Sequence, residues 1–187
     1  MQRFVKLIRA LLSDRQNEAV AAVEFAMVSP VFIIMLAGAV DLGGTVIARF
    51  RLESAVAAAS NYALLNNAQV SSSGGASLAT NMASIVSTTS STSSTVVVND
   101  GPSATTSGGT TTTGGEVANA DRCYCPTGAP ANLTWGTAVT CGSTCALGGT
   151  AGKFVLVTAS YTYSRIFTSY NFINGGVVTS GAMVQTQ

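Results

Sequence analysis

Residues Val20 to Ile47 read VAAVEFAMVSPVFIIMLAGAVDLGGTVI, and this stretch decides how the chain is arranged. Nearly every side chain in it is apolar or small, and its two charges, Glu24 and Asp41, fall near the ends. At a rise of ~1.5 Å per helical residue, the stretch is long enough to cross a hydrocarbon core of ~30 Å. The longest uncharged piece, Phe25 to Val40, is slightly short by itself. A cleavable secretory signal therefore competes, with Ala37-Gly38-Ala39 as its small-x-small site. Against removal, small and apolar residues continue through Leu52, Ala55, Ala58, Ala59, Tyr62 and Ala63 at helical spacing. These observations predict one long helix over 18–66 with a transmembrane span over 20–47. Pro30 removes a backbone hydrogen bond inside it and crowds the preceding turn, which predicts a kink over Ala26 to Pro30.

Charge placement orients the span. Arg3, Lys6, Arg9 and Arg15 precede it, whereas only Arg122, Lys153 and Arg165 serve the chain beyond Arg49 and Arg51. Basic residues gather on the cytoplasmic side, so the N-terminus is expected inside and the C-terminal part outside. Arg49 and Arg51 sit just past the span, where their stems allow the charges to snorkel to the outer interface, with Glu53 partly offsetting them. Asp41 is expected to reach water at the outer end. Ala37, Gly38, Gly43 and Gly44 allow close helix approach, and Gly44 reads equally as a loose exit from the helix.

Composition narrows the function classes. Charged residues make up 9% of the 187, the net charge is +1, and mean hydropathy is +0.40, far from a cytosolic average of about 25% charged. No basic surplus exists to neutralise a phosphate backbone, so nucleic acid is not expected as a partner. Histidine is absent, which removes the commonest general base and metal ligand. Asp100, Glu116 and Asp121 are scattered through loops without forming an acid/base pair. No catalytic residue, cofactor or metal is expected, and the chain reads as a non-enzyme.

The remainder divides into a basic leader, 1–19, the helical segment, 20–66, and an extracytoplasmic part, 67–187. Within the last, Ala76 to Ser87 places Leu78, Met82, Ile85 and Val86 at helical spacing. Residues 87–95 and 103–115 are almost entirely Ser, Thr and Gly and bury too little apolar surface to offset chain entropy, so mobile loops are the default and exposed β-edges the alternative. Val96 to Val98 forms a short strand between them. Lys153 to Phe167 alternates: Val155, Val157, Ala159, Tyr161 and Tyr163 face one way, and Phe154, Leu156, Thr158, Ser160 and Thr162 the other. After the Asn174-Gly175-Gly176 turn signal, Val177 to Thr186 forms its antiparallel partner. The class is α+β: a long helix packed on a small antiparallel sheet.

Cys123, Cys125, Cys141 and Cys145 share one Gly/Thr-rich region, 123–145. An even number in an exported segment implies two disulfides. Of the three pairings, Cys123 with Cys125 is sterically poor, which leaves cross-links between the two pairs without choosing among them. Closing such loops contributes about 3 kcal/mol each in the chain-entropy model. A four-cysteine zinc site competes, although C-x-C and C-x₃-C depart from paired C-x₂-C knuckles. A redox role for C-x-C has no basic neighbourhood to lower a thiol pKa. Trp135 and Tyr124 read as fillers of the small cysteine-tied core, with a sugar-binding surface as the other option.

Residues 15–60 resemble the TadE-like family, minor pseudopilins of tight-adherence pilus systems. The resemblance rests on an ordered set: the basic and polar leader, small residues, the Val23-Glu24-Phe25-Ala26 block, Pro30, the apolar run, and Asp41 followed by Gly43 and Arg49/Arg51. It implies cleavage by a prepilin-type peptidase on the cytoplasmic side. Aligned on Glu24, the junction falls between Ala19 and Val20, with Ala where the family's pattern has Gly before the cut. It further implies that Glu24, with Phe25 beside it, pairs with the new α-amino group of a neighbouring subunit. From the residues alone, Glu24 reads equally as a hydrated side chain at the headgroup level. The expected partners are other pilus subunits, pilus-assembly membrane proteins, the peptidase and the lipid bilayer. The expected location is the bacterial inner membrane, single-pass, with the C-terminal part periplasmic or extracellular. The function implied is tight-adherence pilus assembly and surface attachment; the alternative is a stand-alone membrane-anchored adhesin.

Overall fold

The computed structural model describes residues 2–87, 89, 91–164 and 176–187, with side chains from residue 20 onward. Helix α1 spans Gln2–Leu65. Its end lies one residue from the expected one, and its start is far earlier. Neither Gly nor Pro interrupts residues 2–29, so nothing in the leader stops helical propagation back from the apolar run. The helix runs on through Pro30. It also runs on through Gly43 and Gly44, so Gly44 is not a loose exit. The second helix, α2 (Gly75–Val86), falls within one residue of its expected place.

Five strands follow: β1 Thr92–Val98, β2 Ser103–Ser107, β3 Thr110–Gly114, β4 Phe154–Thr162 and β5 Val177–Gln185. They form one antiparallel sheet in the order β3-β2-β1-β4-β5. The β4–β5 pair is the expected hairpin, with Val157 opposite Ala182. Residues 165–167 of the expected strand, and Asn174 and Gly175 of the turn, lie outside the described residues. The default for the hydroxyl-rich stretches fails: residues 92–95 extend β1 beyond its expected Val96–Val98, and 103–107 and 110–114 are strands. Thr88 and Ser90 of the same stretch lie outside the described residues.

The pattern of burial explains the correction. Along β1, Thr92, Ser94, Val96 and Val98 alternate inward, and Ala104 and Thr106 continue that face on β2. A small hydroxyl side chain fits under a helix when it finds an acceptor. Ser94 Oγ lies 2.7 Å from Ser87 Oγ and 3.3 Å from the Ala83 carbonyl of α2. Thr106 pairs with the Thr111 hydroxyl at 2.8 Å. The strands are thus held by ladder bonds and satisfied hydroxyls where apolar burial is small.

The core of the compact unit from Gly44 onward lies between the helices and the inner sheet face. Leu52, Val56, Ala59 and Ala63 of α1, Leu78, Met82 and Val86 of α2, and Val96, Val98, Val155, Val157 and Val178 of the sheet are all buried. The buried stripe on α1 is rotated slightly from the expected one: Val56 lies inside and Ala58 outside. Gly115 takes φ +89° where a Cβ would strike the Gly101 carbonyl oxygen, so the chain leaving β3 requires glycine there.

Candidate functional site

The first half of α1 carries the pattern on which the functional reading turns. The helix from Val20 onward is long and apolar enough to cross a membrane, and only 6% of its apolar window is buried. Val20, Phe25, Met27, Phe32, Ile33, Ile34 and Met35 are all at least half exposed, Phe25 at 73%. Exposed apolar surface of this extent is out of place in water and signals another apolar environment. Glu24 stands on the exposed helix surface one turn after Val20 and beside Phe25. The side chain of Ala19 lies outside the described residues. Asp41 departs from expectation: it is buried, at 3% exposed, one turn after buried Ala37. A buried carboxylate needs a partner, and Asp41 does not lack one.

Within the unit from Gly44 onward the cysteines pair as Cys123–Cys141 and Cys125–Cys145, with Cα separations of 5.1 and 5.7 Å. The pairing cross-links the two cysteine pairs, as expected, and takes up all four thiols that a zinc site would need. Between the bonded cysteines, Tyr124 is buried and meets Trp135 edge-on, with ring centroids 6.0 Å apart. Both rings therefore pack within the cysteine-tied loop.

Sequence reading missed Asn99, which ties that loop to the sheet. It is fully buried at φ 55°, in the left-handed region that Asn tolerates. Its Nδ2 donates to the carbonyls of Asn119, Ala120 and Arg122 at 3.1, 3.1 and 2.6 Å, while its Oδ1 accepts from the Phe154 amide at 3.1 Å. The only sequence signal was an Asn-Asp-Gly-Pro turn after an apolar run, which marks a reversal but not a hub. Two further ties join the segment after α1 to this region. The Ser72 amide donates to Asp121 at 3.0 Å, and Lys153 Nζ donates to the Val70 carbonyl at 2.9 Å. The hydrogen bonds from Ser72 hold the Asp121 carboxyl below its ordinary pKa, and burial pushes Asp100 up.

The outer sheet face is a field of hydroxyls. Thr112, Thr105, Thr95 and Thr158 stand opposite one another in one row, and Thr110, Ser107, Ser93, Ser160 and Thr179 form the next. A shallow groove of about 460 Å³ runs over Thr95, Thr158, Ser160 and Thr179 beside Pro130. It carries no charged side chain and offers only weak, rotatable donors and acceptors.

A family model described as TadE-like protein matches residues 19–61, the segment that contains Glu24, Pro30 and Asp41. No curated protein and no solved structure matches the chain.

Proposed function

We propose that this chain is a minor pseudopilin, held in the bacterial inner membrane by α1, that takes part in assembling a tight-adherence pilus and in surface attachment. The observation that carries the proposal is the uncovered apolar half of α1 bearing Glu24, within the segment that matches the TadE-like model. The role is structural and non-catalytic. Apolar side chains of the span over 20–47 occupy the bilayer while the leader remains cytoplasmic, following the basic residues on that side. The sheet and its disulfide-bonded loop are delivered outside, where an oxidising compartment keeps the cysteines paired.

In this reading a prepilin-type peptidase cuts between Ala19 and Val20. The new ammonium of one subunit then meets Glu24 of its neighbour, relieving the cost of a carboxylate near hydrocarbon, about 3 kcal/mol on insertion scales. Glu24→Gln is expected to leave membrane insertion intact while reducing co-purification with pilus subunits. Unchanged co-purification would remove Glu24 from assembly. Intact mass of the membrane form tests cleavage separately: a sole product that retains residues 1–19 would rule it out. The hydroxyl-covered outer face supports a second reading, a stand-alone anchored adhesin. That reading predicts surface binding without any co-purifying pilus subunit.

A further inference from the structure

Within the compact unit from Gly44 onward, a cavity of about 360 Å³ lies among α1, the end of α2 and the end of β4. Ile47, Ala48 and Ala55 are among its apolar walls, and its polar lining includes Arg51, Tyr161 and Tyr163. Gly44 is what leaves room: a Cβ there would collide with the Tyr163 hydroxyl, so the phenol occupies space that any other residue would fill. The two arginines of this turn differ. Arg49 Nε donates to Glu53 at 2.8 Å, whereas Arg51 has no ion-pair partner among the described residues.

We infer that this groove binds an anionic phospholipid of the adjoining leaflet, with Arg51 on the phosphate and the first acyl carbons along Ile47, Ala48 and Ala55. The inference rests on α1 being the membrane anchor. By helical rise Arg51 stands about 6 Å beyond Ile47, the end of the apolar run. The headgroup layer occupies about 5–7 Å outside the hydrocarbon, so the guanidinium meets phosphates at their own depth. Tyrosines with an apolar body and a polar tip belong at that level, and two of them line the groove. The guanidinium offers a planar pair of donors to a phosphodiester, and the small apolar side chains beside it leave room for methylenes. A zwitterionic head carries its own ammonium to compete with Arg51, which favours an anionic one.

Native mass spectrometry of the detergent-solubilised full chain, titrated with phosphatidylglycerol or phosphatidylcholine, tests this. Phosphatidylglycerol is expected to be retained preferentially, and Arg51→Gln to weaken that retention about tenfold. Ala48→Phe, which fills the groove, should do the same, while Arg49→Gln should not. Inorganic phosphate should not compete, because the acyl portion contributes to binding; full competition would identify a simple anion site and overturn the lipid assignment. Equal retention of both lipids, or retention insensitive to both Arg51→Gln and Ala48→Phe, would also overturn it. Flotation with phosphatidylcholine vesicles reads the anchor independently: a chain that fails to float loses the membrane reading, whereas one that floats but shows no lipid preference loses only this inference.

Discussion

Both halves of α1 carry large apolar side chains, yet these meet different surroundings. From Val20 to Val40 the large side chains face outward, with Ile33 and Ile34 more than half exposed, whereas Leu52, Val56, Ala59 and Ala63 are buried beneath the sheet. The contrast teaches that composition along a helix does not say what covers it. A stripe facing one side suits a folded domain, and an apolar surface on all sides suits lipid. In the first half bulky apolar residues occupy every face; in the second, Arg49, Arg51, Ser54 and Asn61 break the apolar surface outside the buried stripe.

Substitutions separate the halves. Leu78→Ala, on α2 and fully buried, is expected to destabilise the compact unit from Gly44 onward by about 2–5 kcal/mol in denaturant unfolding. Ile33→Ala should alter that stability by less than about 0.5 kcal/mol, because its side chain lies outside the core. Comparable losses from both would erase the distinction. Next in size is reduction of the disulfides. Each bridge closes a loop with sequence separation of 18 or 20, and losing one should cost about 3 kcal/mol, seen as a lower melting temperature with unchanged flotation.

Asn99 sharpens the comparison within the domain. Asn99→Ala abandons three carbonyls and one amide and is expected to cost about 1–3 kcal/mol. Asn99→Asp should cost more, since it turns a carboxylate toward those carbonyls; equal melting temperatures for the two variants would contradict the assigned hydrogen bonds. The smallest effects are those of pH. Asp121, lowered by its bonds to Ser72, contributes stability above the ordinary carboxylate pKa of about 4 and loses it as pH falls through the depressed value. Asp100, raised by burial, has the opposite sign: its ionisation costs stability as pH rises above about 4. Asp121→Asn should therefore lower the melting temperature at neutral pH, Asp100→Asn should raise it slightly, and both differences should vanish in strong acid.

Periodicity made α2 and the β4–β5 hairpin legible, because Leu78, Met82 and Val86 recur at helical spacing and Val155, Val157 and Ala159 at strand spacing. It failed for β2, β3 and the first half of β1. There the inward positions hold Ser94, Ala104 and Thr106, scarcely more apolar than their outward neighbours, so no alternation marks a buried face. Asp41 was misread for a related reason. A charge near the end of an apolar run suggests a boundary, and only the folded chain shows the side chain buried.

By itself the amino-acid order determined the apolar length near the N-terminus, the poverty of charge beyond it, and the presence of an even set of cysteines. These are additive properties of neighbouring residues, readable without knowing what lies across the fold. Tertiary structure alone decided which cysteines join, that threonine-rich stretches become strands, and that Asn99 bridges loop and sheet. Each of those outcomes depends on partners far away in sequence, whose approach is set by packing rather than by any local preference.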